Sequence, residues 1–438
     1  MLALALATAL SAAAPVTGGC TSDWDCSLAG SCESGRCACD AWATGASCSK
    51  LRLKHADAEN GLQLADGGGV YHSWGGHCVE QDGVYHGYFS FILGHCTLST
   101  WKTNSALLHG VASAPEGPYR PAGRTVYPAV QGVEVPPWAH SAFIVPASNA
   151  TDNLYLLWHI GNASTPASLW KECGNNSRDH HDDDVPQEVP QEVPSHTCNP
   201  EPCGESFYVH TSTSPAGPWG APMRLNLTAN ALRNAWWAAA QQPGGTEFRN
   251  NPSMPAPFVF ANGTTLVYYQ AKNCPRGWGN LAPACVGVLR APTWRGPYDI
   301  ATAPLGQTDL PIVHPESEDP FVFRTRRGFH LLTNVNTYHK RCAAGVACGG
   351  HAWSRDGLVW SEQDVSSFGP TITLSDKNRT VVRNSYVERP QVYQDPATLE
   401  PITLFVGLTR PDGYADSVSW AQPFCAPGDV ASDCGTTI

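Results

Sequence analysis

The chain has 438 residues, more than one average domain but within reach of a large all-β one. Charged residues are only 15%, while 41 Gly, 36 Pro and 15 Trp imply many turns and aromatic surfaces, a composition that suits all-β structure over helical bundles or disorder. A formal net charge of -11 argues against a nucleic-acid partner, because phosphate binding needs a basic face.

At the N-terminus, Leu2 to Ala14 is an apolar run of signal-peptide length ending in small residues, so residues 1–18 read as a secretory leader without the usual positive start. It is too short for a stable membrane span, and no later stretch is long and apolar enough to be one. Seventeen cysteines and sequons at Asn149, Asn162, Asn175, Asn226, Asn262 and Asn378 fit the same reading, a secreted or extracellular glycoprotein. Residues 19–49 hold Cys20, Cys26, Cys32, Cys37, Cys39 and Cys48. Their spacing leaves fifteen pairings open. The tail Cys37-x-Cys39 to Gly45-x-x-Cys48 resembles an EGF-like module. The resemblance implies pairing of first with third, second with fourth and fifth with sixth, without the Asp and Asn pattern of calcium-binding members. A module this small depends on its bridges for stability. It reads as a spacer or adhesive knob, with another protein as its candidate contact.

From about residue 60 to 425 an internal repeat runs along the chain. Its mark is a Gly-Pro-aromatic turn at Gly117-Pro118-Tyr119, Gly217-Pro218-Trp219 and Gly296-Pro297-Tyr298, with a relative at Ser354-Arg355-Asp356-Gly357 to Trp360. Each turn follows a short β-like run, and a fifth run, Ser417 to Trp420, leads into Gln422-Pro423. Five apolar inner strands precede these runs: Val70 to Val79, Ser141 to Val145, Pro257 to Phe260, Pro320 to Phe323 and Pro390 to Tyr393. Each has a second strand behind it, several alternating at period two. Five such units predict an all-β fold, a five-bladed β-propeller behind the small disulfide-rich module, because a ring leaves few open sheet edges. A long insertion, about 165–205, reads as a solvated rim loop, and residues 426–438 as a tail. The insertion's Asp179-His180-His181-Asp182 run offers metal-type side chains, but consecutive residues cannot all face one ion, and no metal site is assigned. Short-range bridges are expected for Cys78 with Cys96, Cys274 with Cys285, Cys342 with Cys348 and Cys425 with Cys434, leaving Cys173, Cys198 and Cys203 as an odd set.

A propeller gathers its inner strands at one channel. Polar and aromatic residues stand ahead of all five: Trp74-Gly75, His140-Ser141, Asn251-Pro252, Glu318-Asp319-Pro320 and Glu388-Arg389-Pro390. Here the chain resembles the five-bladed propeller glycosidases, the clan of glycoside hydrolase families 43 and 32, over roughly residues 68–424. The resemblance implies hydrolysis of a glycan by carboxylates in a funnel. Family members usually carry Asp, Asp and Glu in the first three blades. Here those places are Trp74-Gly75, His140-Ser141 and Asn251-Pro252, and the carboxylates stand in the fourth and fifth blades instead. The expected catalytic pair is therefore Asp319 as base and Glu388 as acid, Glu having the higher reference pKa and the longer reach. Trp74, His140, Asn251, Glu318 and Arg389 are the candidate sugar contacts. Some family members hold a channel calcium, but no ligand set for one is readable, and no cofactor is expected. The alternative reading is a non-catalytic carbohydrate-binding or adhesion propeller.

Overall fold

A computed structural model describes residues 19–64, 72–94, 96–122, 139–161, 173, 206–234, 252–271, 284–301, 317–335, 348–384, 386–409 and 417–435. The fold is all-β. In the N-terminal module, β1 (Gly30–Glu33) pairs with β2 (Arg36–Cys39), and β3 (Ala43–Thr44) with β4 (Lys50–Leu51), followed by β5 (Leu53–Lys54). Five antiparallel meander sheets follow. Blade 1 is β6 (His72–Gln81), β7 (Val84–Ile92), β8 (Ser105–Ala112) and β9 (Arg120–Pro121). Blade 2 is β10 (Ala139–Val145), β11 (Tyr155–Gly161), β12 (Ser206–Ser212) and β13 (Met223–Arg224). Blade 3 is β14 (Ser253–Val259), β15 (Thr265–Ala271), β16 (Cys285–Ala291) and β17 (Asp299–Ile300). Blade 4 is β18 (Ser317–Arg324), β19 (Phe329–Val335), β20 (Cys348–Ser354) and β21 (Asp364–Phe368). A hairpin, β22 (Thr371–Thr373) and β23 (Val381–Arg383), leads into blade 5, which is β24 (Tyr386–Gln394), β25 (Pro401–Thr409) and β26 (Ser417–Pro423).

The inner strands touch in the cyclic order β6, β10, β14, β18, β24 and back to β6, so the sheets close into a five-bladed propeller. The Gly-Pro turns stand where the repeat placed them, at the outer ends of blades 1 to 3, with a cis bond at Gly117-Pro118, Gly217-Pro218 and Gly296-Pro297. In four blades a further strand lies outside the three expected of each unit. The inner strands also begin earlier than expected, at residues 139, 253, 317 and 386, so the polar segments are part of the strands rather than ahead of them.

Ring closure uses the chain's front. Blade 5 has three strands of its own, and Leu53 bridges Phe424 while the Leu62 N–H donates to the Ser419 carbonyl at 3.1 Å. Gly61 meanwhile exchanges backbone hydrogen bonds with blade 1, to Glu116 and from Tyr119, each 2.8 Å. This stretch covers the free edge of β26 and ties it to the first blade, satisfying backbone groups that an edge would leave open. The tail strand β27 (Cys434–Gly435) pairs with β5 and is bridged by Cys425–Cys434, as expected.

The front module is not a free knob. Its bridges are Cys20–Cys32, Cys26–Cys37 and Cys39–Cys48, the order the EGF-like resemblance implies. Trp42, 1% exposed, sits edge-on to Phe323, His330, His351 and Phe424 at ring separations of 5.9, 5.0, 6.3 and 6.4 Å. Cys26, Cys48 and Leu51 share one hydrophobic core with Phe323, Leu404 and Phe424 of the propeller. At the seam Arg327 reaches Asp23 at 2.7 Å and Asp40 at 3.1 Å. The spacer expectation is therefore corrected: apolar burial at Trp42 makes the module part of the propeller body.

Two cysteine expectations are also corrected. Cys96 bonds Cys173, 77 residues along the chain, and Cys78 is a buried free thiol. Burial pushes the Cys78 thiol up to about 12. Cys285 and Cys348 are disulfide-bonded, and their expected partners Cys274 and Cys342, with Cys198 and Cys203, lie outside the described residues. Of the sequons, Asn149, Asn226, Asn262 and Asn378 are exposed at the surface, and Asn162 and Asn175 lie outside the described residues.

Candidate active site

The ladder between inner and second strand breaks at one equivalent place in every blade: after Trp74, His140, Ser253, Glu318 and Glu388. The next residue is left-handed each time: Gly75 (φ 57°), Ser141 (58°), Met254 (56°), Asp319 (53°) and Arg389 (56°). Four non-glycine residues in that region at matching positions are a strained and repeated feature, of the kind that clusters at functional sites. Gly75 is the exception because a Cβ there would lie 2.9 Å from the Arg389 Cβ.

A bulge frees its N–H from the ladder, and that donor needs a partner. The preceding blade supplies it in three cases. Ser90 Oγ accepts from the Ser141 N–H at 2.9 Å, Gln270 Oε1 from the Asp319 N–H at 2.5 Å, and Asp319 Oδ2 from the Arg389 N–H at 3.3 Å. Strand twist and neighbour side chains thus turn the left-handed residues toward the axis, where they meet. The Arg389 guanidinium pairs with Asp319 Oδ1 at 2.7 Å and donates to Met254 Sδ, which also accepts from Ser141 Oγ at 2.9 Å. These groups are the floor of the funnel. Beneath them His77 stacks on Phe143 at 4.6 Å, with its ring nitrogens 3.0 Å from the Ile144 carbonyl and 3.3 Å from that of Val392. The cavity left on the axis is about 20 Å³, room for one water, so the channel is closed at this level. Among the described residues the floor offers one carboxylate, already held by a guanidinium, one hydroxyl and a thioether, rather than the shell of hard oxygens that calcium takes.

One residue toward the strand starts lies a rung of five side chains: Trp74, His140, Ser253, Glu318 and Glu388. Three are buried, at 2%, 1% and 7% exposure, while Glu318 and Glu388 keep partial access to solvent. Burial raises the Glu388 carboxyl to about 8, helped by the charges of Asp319 and Glu318, while the Arg389 charge and a hydrogen bond from the Asn334 side chain pull it down. Burial also raises Asp319, against the pull of Arg389. His140 is held well below the usual imidazole range by burial and by Arg389. Its Nδ1 lies 2.7 Å from Ser105 Oγ, and its ring packs 5.0 Å from Trp101.

The expected site residues thus divide. Asp319, Glu318, Glu388 and Arg389 come together. Trp74 is buried beside Gly407, where an added Cβ would meet its ring at 2.5 Å, and His140 is a buried neutral group on the same rung. Asn251 and the 179–182 run lie outside the described residues. By the ladder register the third-blade counterpart of Asp319-Pro320 is Met254-Pro255, further along the chain than the expected Asn251-Pro252. Asn334 was not anticipated. Buried and paired opposite Glu318 in the ladder, it hydrogen-bonds Glu388 and leaves its Oδ1 without a hydrogen-bond partner. The signal that finds the floor residues is the proline that follows them in blades 3 to 5, Met254-Pro255, Asp319-Pro320 and Arg389-Pro390, near the start of each of those inner strands.

The fold and the floor define a five-bladed propeller with carboxylates at one end of a sealed axis. No family model and no curated protein matches the chain. Among solved structures it is similar to a family 117 glycoside hydrolase of the marine bacterium Zobellia galactanivorans, with TM-score 0.52 and 11% identity, covering 89% of this chain and 94% of that one. It is also similar to the catalytic domain of the Coprinopsis cinerea family 62 α-L-arabinofuranosidase, with TM-score 0.52 and 10% identity, covering 86% and 99%. At such identities the likeness establishes the shared propeller fold.

Proposed function

We propose that the protein is a secreted hydrolase of O-glycosidic bonds, with Glu388 as its proton donor. The observation that carries this reading is a half-buried glutamate held protonated to about pH 8 on the rung above a sealed propeller floor. Glycoside hydrolysis needs one carboxyl that keeps its proton near neutrality and a second that stays ionised. Glu318 and Asp319, on the inner strand next to that of Glu388, are the candidates for the second carboxyl. Fold-level similarity to propeller glycosidases supports the choice of chemistry by analogy. Three bridges at the front, Cys96–Cys173 and the four exposed sequons support an oxidising, extracellular setting. Among the described residues no helix is long and apolar enough to cross a membrane.

The test is an aryl-glycoside panel run on the wild type and Glu388→Gln. The expected outcome is hydrolysis of at least one glycoside by the wild type, with kcat lower by about 10²- to 10⁴-fold in the variant. A second reading, glycan binding without cleavage, is favoured by the rung residues of the first three blades, Trp74, His140 and Ser253, none of which is a carboxylate, where the resembled family carries carboxylates in those blades. Calorimetric glycan binding that is equal in both proteins, with no cleavage by either, decides for it.

A further inference from the structure

The seam between the front module and blade 4 holds a line of hydrogen bonds that runs through two imidazoles. Thr325 Oγ1 lies 3.1 Å from His330 Nε2, His330 Nδ1 lies 3.0 Å from His351 Nε2, and His351 Nδ1 lies 3.0 Å from the Ser49 carbonyl of the module. A carbonyl only accepts, so His351 carries its proton on Nδ1 and offers Nε2 as an acceptor. His330 then donates from Nδ1 and accepts from the Thr325 hydroxyl at Nε2. Both rings are buried, and this line keeps both neutral. Trp42 of the module closes over them, 5.0 Å from His330 and 6.3 Å from His351, and Phe323 stacks on His330 at 4.9 Å. The charged groups around the pair are few. Asp364 on β21 acts on His351 and accepts a hydrogen bond from Ser49 Oγ. At the edge of the seam stand Asp23 and Asp40 of the module, Arg326 and Arg327 of the turn after β18, and Glu400 ahead of β25.

We propose that the His330–His351 pair is an acid-sensitive latch for the front module, closed while both rings are neutral and loosened when either takes a proton. A proton added at His351 Nε2 sets two N–H groups against each other across 3.0 Å. One added at His330 leaves a cation buried under Trp42 and against Phe323, and no carboxylate among the described residues pairs with it. Opening the module lets water reach both rings and relieves either cost. Burial accordingly holds His351 at about 4, against the pull of the Ser49 carbonyl and Asp364. Burial and the His351 charge hold His330 well below the usual imidazole range. An opened pair returns toward the ordinary 6.5, so docking has its full strength above about pH 6.5 and loses it as the pH falls through about 4. Glu400 works in the opposite sense, because a carboxyl raised by burial and by Asp40 gives up stability as the pH rises. The latch does not depend on the hydrolase reading.

The experiment follows amide hydrogen exchange of the intact protein by mass spectrometry between pH 5 and pH 8, corrected for the intrinsic exchange rate at each pH. The reporter is residues 39–52 of the module, and the reference is the β14–β15 hairpin of blade 3, a blade without histidine. In the wild type the opening constant of the reporter is expected to be about 30-fold larger at pH 5 than at pH 8, the change that moving His351 between 6.5 and about 4 produces. The reference is expected to stay level. The variant H330F/H351N keeps an N–H for the Ser49 carbonyl but takes no proton, and its reporter is expected to stay level as well. A level reporter in the wild type, an equal rise in reporter and reference, or a variant as steep as the wild type each overturns the latch. If the double variant does not fold, the wild-type profiles of reporter and reference decide alone.

Discussion

At the scale of single residues, Glu388 has a thermodynamic signature as well as a kinetic one. Its folded carboxyl, raised to about 8 from an ordinary 4.5, holds a proton that the unfolded chain releases. That contribution to stability is complete below about pH 4.5 and is lost as the pH rises through about 8. Glu388→Gln cannot lose it. The melting temperature of the variant relative to wild type is therefore expected to rise steadily between pH 5 and pH 8.5, measured by scanning calorimetry, and a flat difference contradicts the raised carboxyl. The charged residues of this site were legible in the sequence, because acidic residues before a proline at the head of an apolar run stand out. Their levels were not. Glu318 and Asp319 are adjacent in sequence, yet the left-handed turn at Asp319 sends one to the solvent-reaching rung and the other to the floor. Backbone handedness of an aspartate is decided by what surrounds it, here Gln270 on its N–H and Arg389 on its carboxylate.

At the scale of elements, the seam between the front module and blade 4 combines a buried aromatic with a half-exposed ion cluster. Deleting a fully buried tryptophan costs about 3–5 kcal/mol, whereas exposed ion pairs contribute about 0–1 kcal/mol. Trp42→Ala is therefore expected to lower the melting temperature and to open residues 19–64 to limited proteolysis. Arg327→Ala, whose partners are 42% and 22% exposed, is expected to leave both nearly unchanged. Equal effects from the two changes would show that charge, not burial, docks the module. The repeat grammar was readable here, since three Gly-Pro turns and period-two alternation placed most strands. The docking was not, since nothing local distinguishes Trp42 from a tryptophan on a free knob.

At the scale of the molecule, ring closure falls to the front stretch along β26 and the tail strand on β5, while one long covalent link ties the blade 1 segment to residue 173, the bridge Cys96–Cys173. That bridge closes a loop of 77 residues, for which chain entropy predicts a stabilisation of about 4.5 kcal/mol. Replacing both cysteines with alanine is expected to lower the denaturant midpoint and to steepen the slope, because the unfolded chain without the bridge exposes more surface. An unaltered midpoint would mean that the ring, not the bridge, restrains that loop. Such long closures are where sequence reading fails, because proximity along the chain favoured Cys78 for Cys96, while the propeller buries Cys78 beneath Tyr119.

What the sequence by itself determined is the all-β class, the number of blades and the acidic character of the fourth and fifth blade entries. These follow from periodicity and turn chemistry, which act within a few residues. The tertiary structure alone decided which carboxylate meets Arg389, which keeps its proton, which cysteines bond, and that the front module belongs to the core. Each of those depends on groups brought together from distant parts of the chain, and only the closed ring sets their distance, burial and field.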